Sequence, residues 1–182
     1  MSISKISKFG RNILTKIKEL SIPQSKKAAR DLLIRERKRI TSADFKPGNL
    51  IFTRYNAKDK TRVFDKTPLA LVLRRNSHHT LVLNFHWLPM NMRINLVKVI
   101  IKMNAQNIKN NKRLEFDYRQ LKPLLKRYGY APVIRLYINS RIGSLGVVIP
   151  PERLLEVAKL KTETFTGGVS ANKMYANAKK YK

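Results

Sequence analysis

Three histidines, His78, His79 and His86, fall within nine positions of the segment NSHHTLVLNFHWLP, residues 76–89. Clustered imidazoles suggest zinc, which takes about four ligands at roughly 2 Å from the ion. Spacing argues against that use here. Adjacent side chains on an extended segment point to opposite faces, so His78 and His79 diverge unless the loop bends between them. His86 shares the parity of His78, but eight residues of strand at about 3.3 Å each place it roughly 26 Å away. The chain has no cysteine, which removes thiolate ligands, thiolate nucleophiles and disulfides together. We therefore expect no metal and no other cofactor.

Other chemistry finds as little support. Hydrolysis of a phosphodiester by paired metals needs converging carboxylates. The chain has 11 Asp plus Glu, and the pairs Asp59 with Asp65 and Glu115 with Asp117 are each flanked by Lys or Arg. Gly48, Gly143, Gly146 and Gly167-Gly168 are followed by no G-K-[ST] element, so no phosphate loop of the nucleotide-hydrolase type is present. No enzyme is expected. On a strand running through 80–87, Asn84 and His86 share one face, and Phe85 and Trp87 the other. Two readings stay open. Either Phe85 and Trp87 are core and His86 satisfies a buried backbone group or caps the helix starting at Pro89, or Asn84 and His86 touch nucleic acid or a partner protein.

Charge is the stronger signal. Lys plus Arg number 39, giving a formal net charge of +28 over 182 residues. The excess is spread along the chain: residues 1–45 carry 12 basic and 4 acidic side chains, and residues 157–182 carry 6 and 1. A folded body this positive repels itself unless a polyanion is near. Nucleic acid is the expected partner, because neutralising phosphates releases counterions and yields affinity without reading sequence. The candidate phosphate contacts are Arg35, Arg37, Lys38 and Arg39, then Arg74 and Arg75, then Lys109, Lys112 and Arg113, then Lys126 and Arg127 with Tyr128 and Tyr130 beside them. Lys173 to Lys182, with Tyr175 and Tyr181, would add a basic arm. No helix-turn-helix, zinc-finger or aromatic RNA-binding signature is present, so backbone and shape contact is expected rather than base readout.

The elements that must position these groups can be read from periodicity. Residues 1–20 place Ile3, Ile6, Ile13, Ile17 and Leu20 at helical spacing with lysines elsewhere, a basic amphipathic helix that could dock on protein or on an anionic membrane surface. Residues 21–40 read as a second helix, with Pro23 in its first turn and a basic end. From Phe45 the texture becomes β: a Lys46-Pro47-Gly48 turn launches a strand over 49–55, and strands over 68–74 and 80–87 flank a hairpin loop. A helix follows Pro89 with Met92, Leu96, Val99, Ile100 and Met103 inward. Asp117 could cap the next helix, which contains Pro123 and stops at Gly129. Residues 132–138 are ambiguous between helix and strand, 143–150 read as a short strand, and Pro151 opens a last helix. The fold class is α+β: a small antiparallel sheet or SH3-like barrel surrounded by helices, with N-terminal basic helices. The expected organisation is a helical arm over 1–44, a core domain over 45–165 and a basic flexible tail over 166–182. No apolar run is long enough to span a bilayer, and no signal peptide is apparent.

The central region resembles the tailed-phage DNA end protector, or head completion, proteins. The likeness rests on Lys46-Pro47-Gly48-Asn49-Leu50, Pro68-Leu69, Asn84-Phe85-His86-Trp87-Leu88-Pro89, Arg93 and Ile149-Pro150-Pro151, in that order over residues 45–165. Trp87 stands where tyrosine is more usual, and the two N-terminal helices fall outside the likeness. The resemblance implies a virion-associated protein that binds the ends of packaged double-stranded DNA and shields them from exonuclease. It would sit in the particle interior, at the portal-neck or in the tail, and in host cytoplasm during assembly and after injection. The alternative is a structural component of the neck, tail or baseplate, whose basic surface meets acidic virion subunits or the DNA channel. A basic RNA-associated protein is a third candidate.

Overall fold

A computed structural model describes residues 31–180 apart from 32, 60, 111 and 117. The helix expected over 1–20, most of that over 21–40, the Asp117 cap and the last two residues of the basic arm lie outside the described residues. The fold is α+β. Six antiparallel strands form one sheet in the order β1-β6-β2-β3-β4-β5: β1 (Lys38–Arg39), β2 (Leu50–Tyr55), β3 (Leu69–Arg75), β4 (His79–Asn84), β5 (Ile134–Ile138) and β6 (Ile142–Ile149).

Alternation explains how the sheet is covered. Leu50 and Phe52 of β2, Leu69 and Leu71 of β3, Leu83 of β4, and Val147 and Ile149 of β6 face one way. They meet helix α1 (Met90–Met103) through Leu96, Val97 and Ile100, and helix α4 (Leu154–Ala158) through Leu154, Leu155 and Val157. The residues between them in sequence, Ile51, Ala70, Val72 and Val82, form a second apolar layer with Tyr137, Ile142 and Val148 on the opposite face. Strands buried on both faces read as nearly continuous apolar runs, which is what LIF and LALVL show.

That second layer is enclosed because the sheet curls. β5 passes into β6 through a single 3-10 turn, Asn139–Arg141, and β6 then pairs with β2, placing Leu50 opposite Ile149 and Phe52 opposite Val147. At the same end the Tyr55 and Tyr137 rings stack at 4.2 Å, and the Asn56 N–H donates to the Arg141 carbonyl at 3.0 Å. A register shift between Val72 and Arg74 in β3 supplies the bend. This path, with its 3-10 turn before the closing strand, is that of an SH3-like barrel. Residues 85–133, inserted between β4 and β5, carry α1, α2 (Ala105–Lys109) and α3 (Tyr118–Arg127).

Several local expectations change. Strand β4 stops at Asn84, and Phe85–Trp87 is a 3-10 turn. The Asn84 side chain accepts the His86 N–H at 3.0 Å, a cap that ends the extended run. The inward face of α1 is Arg93, Leu96, Val97 and Ile100, while Met103 is 48% exposed. The basic stretch at 35–39 is not one helix end: helix persists to Arg35, and Lys38 and Arg39 form an edge strand on Gly146 and Leu145 of β6. The ambiguous segment at 132–138 is a 3-10 turn followed by β5. The C-terminal stretch read as a flexible tail is, through Lys180, helix α5 (Ala171–Lys180). It docks through buried Ala171 and Met174, and the Tyr175 hydroxyl donates to the Gly129 carbonyl at 3.0 Å.

The Lys46-Pro47-Gly48 turn shows why its glycine is needed. Gly48 has φ +88°, and a Cβ built there would lie 1.8 Å from the Leu114 carbonyl oxygen. Replacing Gly48 with alanine therefore strains the turn and also pushes away the 112–116 segment. We expect a loss of about 2 kcal/mol, read as a lowered denaturation midpoint with an unchanged denaturant slope.

Candidate nucleic-acid interface

The residues of the Asn-x-His motif form a buried network, not a surface site. Asn84, His86 and Asp65 are at most 2% exposed. Asp65 reaches them from the long β2–β3 connection, held by backbone bonds from Lys66 N–H to the Thr164 carbonyl and from Thr166 N–H to the Phe64 carbonyl, both 3.0 Å. One carboxylate oxygen of Asp65 accepts from Asn84 Nδ2 at 3.0 Å and pairs with His86 Nδ1 at 2.8 Å. The other accepts the Thr67 N–H at 3.2 Å. Asn84 Nδ2 also bonds the Tyr137 hydroxyl at 2.8 Å, and His86 Nε2 meets Thr162 Oγ1 at 2.9 Å. Burial works against the Asp65 charge, but the adjacent His86 and the donors around it outweigh that and hold the carboxyl below its usual range. As a carboxylate it accepts, so His86 Nδ1 carries the proton.

Thr162, His86 and Asp65 thus stand in the order of a nucleophile, base and orienting acid. Thr162 is 0% exposed, and the trio lies enclosed in the interior. It joins the β2–β3 connection, the end of β4 and the strand-like segment after α4. Asn84 and His86 are buried, which fits the scaffold reading, but His86 bonds the Asp65 and Thr162 side chains and neither a backbone group nor the start of α1. His78 and His79 sit at the β3–β4 hairpin, ring centroids 6.4 Å apart, and among the described residues no three His, Asp or Glu converge on one point.

Arg93 belongs to the same interior. It is 0% exposed, donates to the Leu160 carbonyl at 3.1 Å and meets Glu163 at 3.5 Å. Burial lowers its pKa, against the pull of Glu163. Pro89 sets the start of α1. Lys46 and Pro47 remain exposed at the turn before β2.

The candidate phosphate contacts divide into three groups. Arg35, Arg37, Lys38 and Arg39 are exposed around β1. Arg153 fastens this segment by donating to both Glu36 oxygens at 2.8 and 2.6 Å and to Glu156 at 3.0 Å. A second group surrounds the Lys46 turn: Arg113 donates to the Pro47 carbonyl at 3.4 Å, Lys112 is exposed beside it, and Arg75 lies over the Phe45 ring at 4.7 Å with Arg74 exposed next to it. Partial burial lowers the Arg75 pKa. Lys109 is exposed at the end of α2. The third group is Lys126 and Arg127 at the end of α3, with Arg127 over the Tyr128 ring at 5.7 Å. These groups occupy different parts of the surface.

A concave basic surface lies where, Arg37 apart, the charge runs gave no sign of one. A depression of about 640 Å³ is lined by Arg37, Arg54 and Lys66 with the hydroxyl-bearing Thr67 and Thr164. An adjoining one of about 760 Å³ shares Arg54 and Lys66 and adds Arg141 and Asn56. Glu163 is the single acid among their lining residues. The 3-10 turn bearing Arg141 is tied to the β3–β4 hairpin, because Asn139 Nδ2 donates to the Asn76 and Ser77 carbonyls at 2.9 and 3.0 Å. The basic surface therefore runs from Arg37, beside β1, through both depressions to Arg141. Arg54, Lys66 and Arg141 are far apart in sequence and form no charge run. The one available signal was Arg54, the first exposed side chain in a strand whose preceding four residues are buried.

No helix of the described residues is long and apolar enough to cross a membrane. No protein-family model, curated protein or solved structure matches the chain.

Proposed function

We propose that the chain binds double-stranded DNA without sequence preference, through phosphates, at the surface formed by Arg37, Arg54, Lys66 and Arg141. The observation that carries this reading is the pair of adjoining depressions that share Arg54 and Lys66, on a chain of net charge +28. Arg54 sits on β2, and the connections that carry Lys66 and Arg141 are tied to Tyr55 and Asn56 by backbone hydrogen bonds, so little loop freedom is lost on meeting a phosphate row. The likeness of the Lys46 turn and the Asn84–Pro89 motif to phage DNA end protector proteins supports the narrower reading. In that reading the protein is virion-associated, shields the ends of a packaged genome and completes the head.

Salt dependence tests it. With ~6–10 phosphate contacts, affinity for linear duplex falls about 10³–10⁵-fold between 50 and 200 mM salt. Pre-bound protein should also slow an exonuclease on blunt linear duplex. Flat salt dependence counts against DNA binding, and no slowing of the nuclease counts against end protection.

A structural role in the neck, tail or baseplate is the second reading. It is favoured by β5, an edge strand on which Leu136 is 59% exposed. Removing residues 1–30 separates the two, since Leu33 at 0% exposure and β1 must be kept. Lost incorporation into particles with DNA binding retained favours the structural reading.

A further inference from the structure

A cation without an acid marks a second recess, distinct from the DNA surface. Arg135 points from β5 over the ring of Trp87, its guanidinium carbon 3.3 Å from the ring centroid. Its Nε is shielded from solvent and has no hydrogen-bond partner among the described residues. Burial pushes the group down to about 10, opposed by the Tyr137 phenol. The cavity beside it, about 710 Å³, is walled by Val63, Trp87, Pro132 and Ala178, with Arg62 also lining it. Arg62 pairs with exposed Asp59 at 3.2 Å, and no carboxylate lines the recess.

A stacked, largely buried guanidinium with no carboxylate among the residues lining its recess can take a charge-assisted partner through its terminal nitrogens. Arginine is also the cation most used for buried interface pairs. That partner must be an anion, and the walls decide which kind. A phosphodiester backbone is a continuous hydrated chain that suits an open basic surface. A recess with apolar walls around one arginine suits a single carboxylate projecting from an apolar neighbour.

We propose that this recess receives an acidic side chain of a protein partner, its carboxylate meeting Arg135 and Arg62 and an adjacent apolar residue packing on Val63, Pro132 and Ala178. The proposal goes beyond the DNA reading and does not rest on it.

Trp87 is the chain's single tryptophan, so fluorescence excited selectively at tryptophan reports this site alone. The full chain is titrated with acetyl-Phe-Glu-amide, acetyl-Phe-Gln-amide, sodium phosphate and a short blunt duplex. The glutamate peptide should give a saturable change and the glutamine peptide should bind at least about tenfold more weakly, a difference of about 1.4 kcal/mol. Arg135→Gln should abolish the response. Because Arg135→Gln alters a largely buried group and a loss of fold would mimic a loss of binding, Ala178→Glu serves as a second test: it supplies a carboxylate from the half-buried face of α5 and should block the peptide while circular dichroism is unchanged. Equal binding of the two peptides, or binding retained in Ala178→Glu, overturns the proposal. So does a duplex or phosphate that displaces the glutamate peptide at equal or lower concentration, which would reassign the recess to nucleic acid.

Discussion

Replacing Arg54, Lys66 and Arg141 together by glutamine is expected to weaken duplex binding about 100-fold near 0.1 M salt and to flatten the log-affinity against log-salt slope by about 2.7. The slope is the more telling readout. Each lost phosphate contact removes about 0.9 from it, whereas a folding defect lowers the active fraction and leaves it alone. Two of the three side chains are exposed and Arg141 is half-buried, so the substitutions should leave thermal stability nearly unchanged. The control is Lys126→Gln with Arg127→Gln on α3, outside the two depressions; it removes two cations rather than three, and we expect a smaller loss per charge removed. An unchanged slope in the triple variant, or an equal loss per charge in the α3 pair, would show that the barrel depressions are not the principal contact. The comparison also weighs geometry against bulk charge, since every such substitution lowers the same net charge.

The second large effect is on stability. Asp65→Ala should cost about 3–5 kcal/mol, the order expected when the carboxylate at the centre of a buried hydrogen-bonded network is removed and its donors are stranded. Asn84 Nδ2, the Thr67 N–H and a buried His86 would all lose an acceptor at once, and each stranded donor bears its own desolvation cost. For a chain of this size the melting temperature should fall by roughly 10 °C. Thr162→Val, which removes only the outer hydroxyl, should cost about 1 kcal/mol. The network also sets acid sensitivity. Asp65 has a folded pKa below its unfolded value, so its contribution is complete above the ordinary carboxylate range near 4 and is lost as pH falls through the folded pKa. Wild-type stability should therefore drop steeply below about pH 4, and the Asp65→Ala chain should lose less over that interval. Chemical denaturation at several pH values checks both. Equal acid slopes in the two proteins would mean that other carboxylates control the transition.

The barrel was legible in the sequence where local chemistry and tertiary position agree. β2 and β3 are apolar on both faces and bounded by turn formers, so their pattern survives folding unchanged. The end of β4 was not legible, since alternation continues through Trp87 and only the Asn84 side chain, capturing the His86 N–H, breaks it. Helix α5 was hidden for a different reason. Its apolar contacts are few, and the Trp87–Phe165 pair it packs near is assembled from other segments. Arg93 reads as a surface cation on α1, yet the Leu160 carbonyl and Glu163 that permit its burial lie some 70 residues away. The same distance effect hid the candidate interface. Charge runs register density along the chain, whereas Arg54, Lys66 and Arg141 gain meaning only when β2, its following loop and the β5–β6 turn close on one another.

That closure has a kinetic side. β6 is the last strand made, yet it lies between β1 and β2, joining residues 38–39 and 50–55 to residues 142–149. The pairings that seal the barrel therefore span about a hundred residues of chain, and loop-closure entropy must be met before they reward it. Until β6 arrives, Leu50 and Phe52 have strand neighbours on the β3 side alone, and β1 has no strand to pair with. A topology of this contact order belongs with slow-folding β domains, and its barrel is completed only after synthesis has passed residue 149.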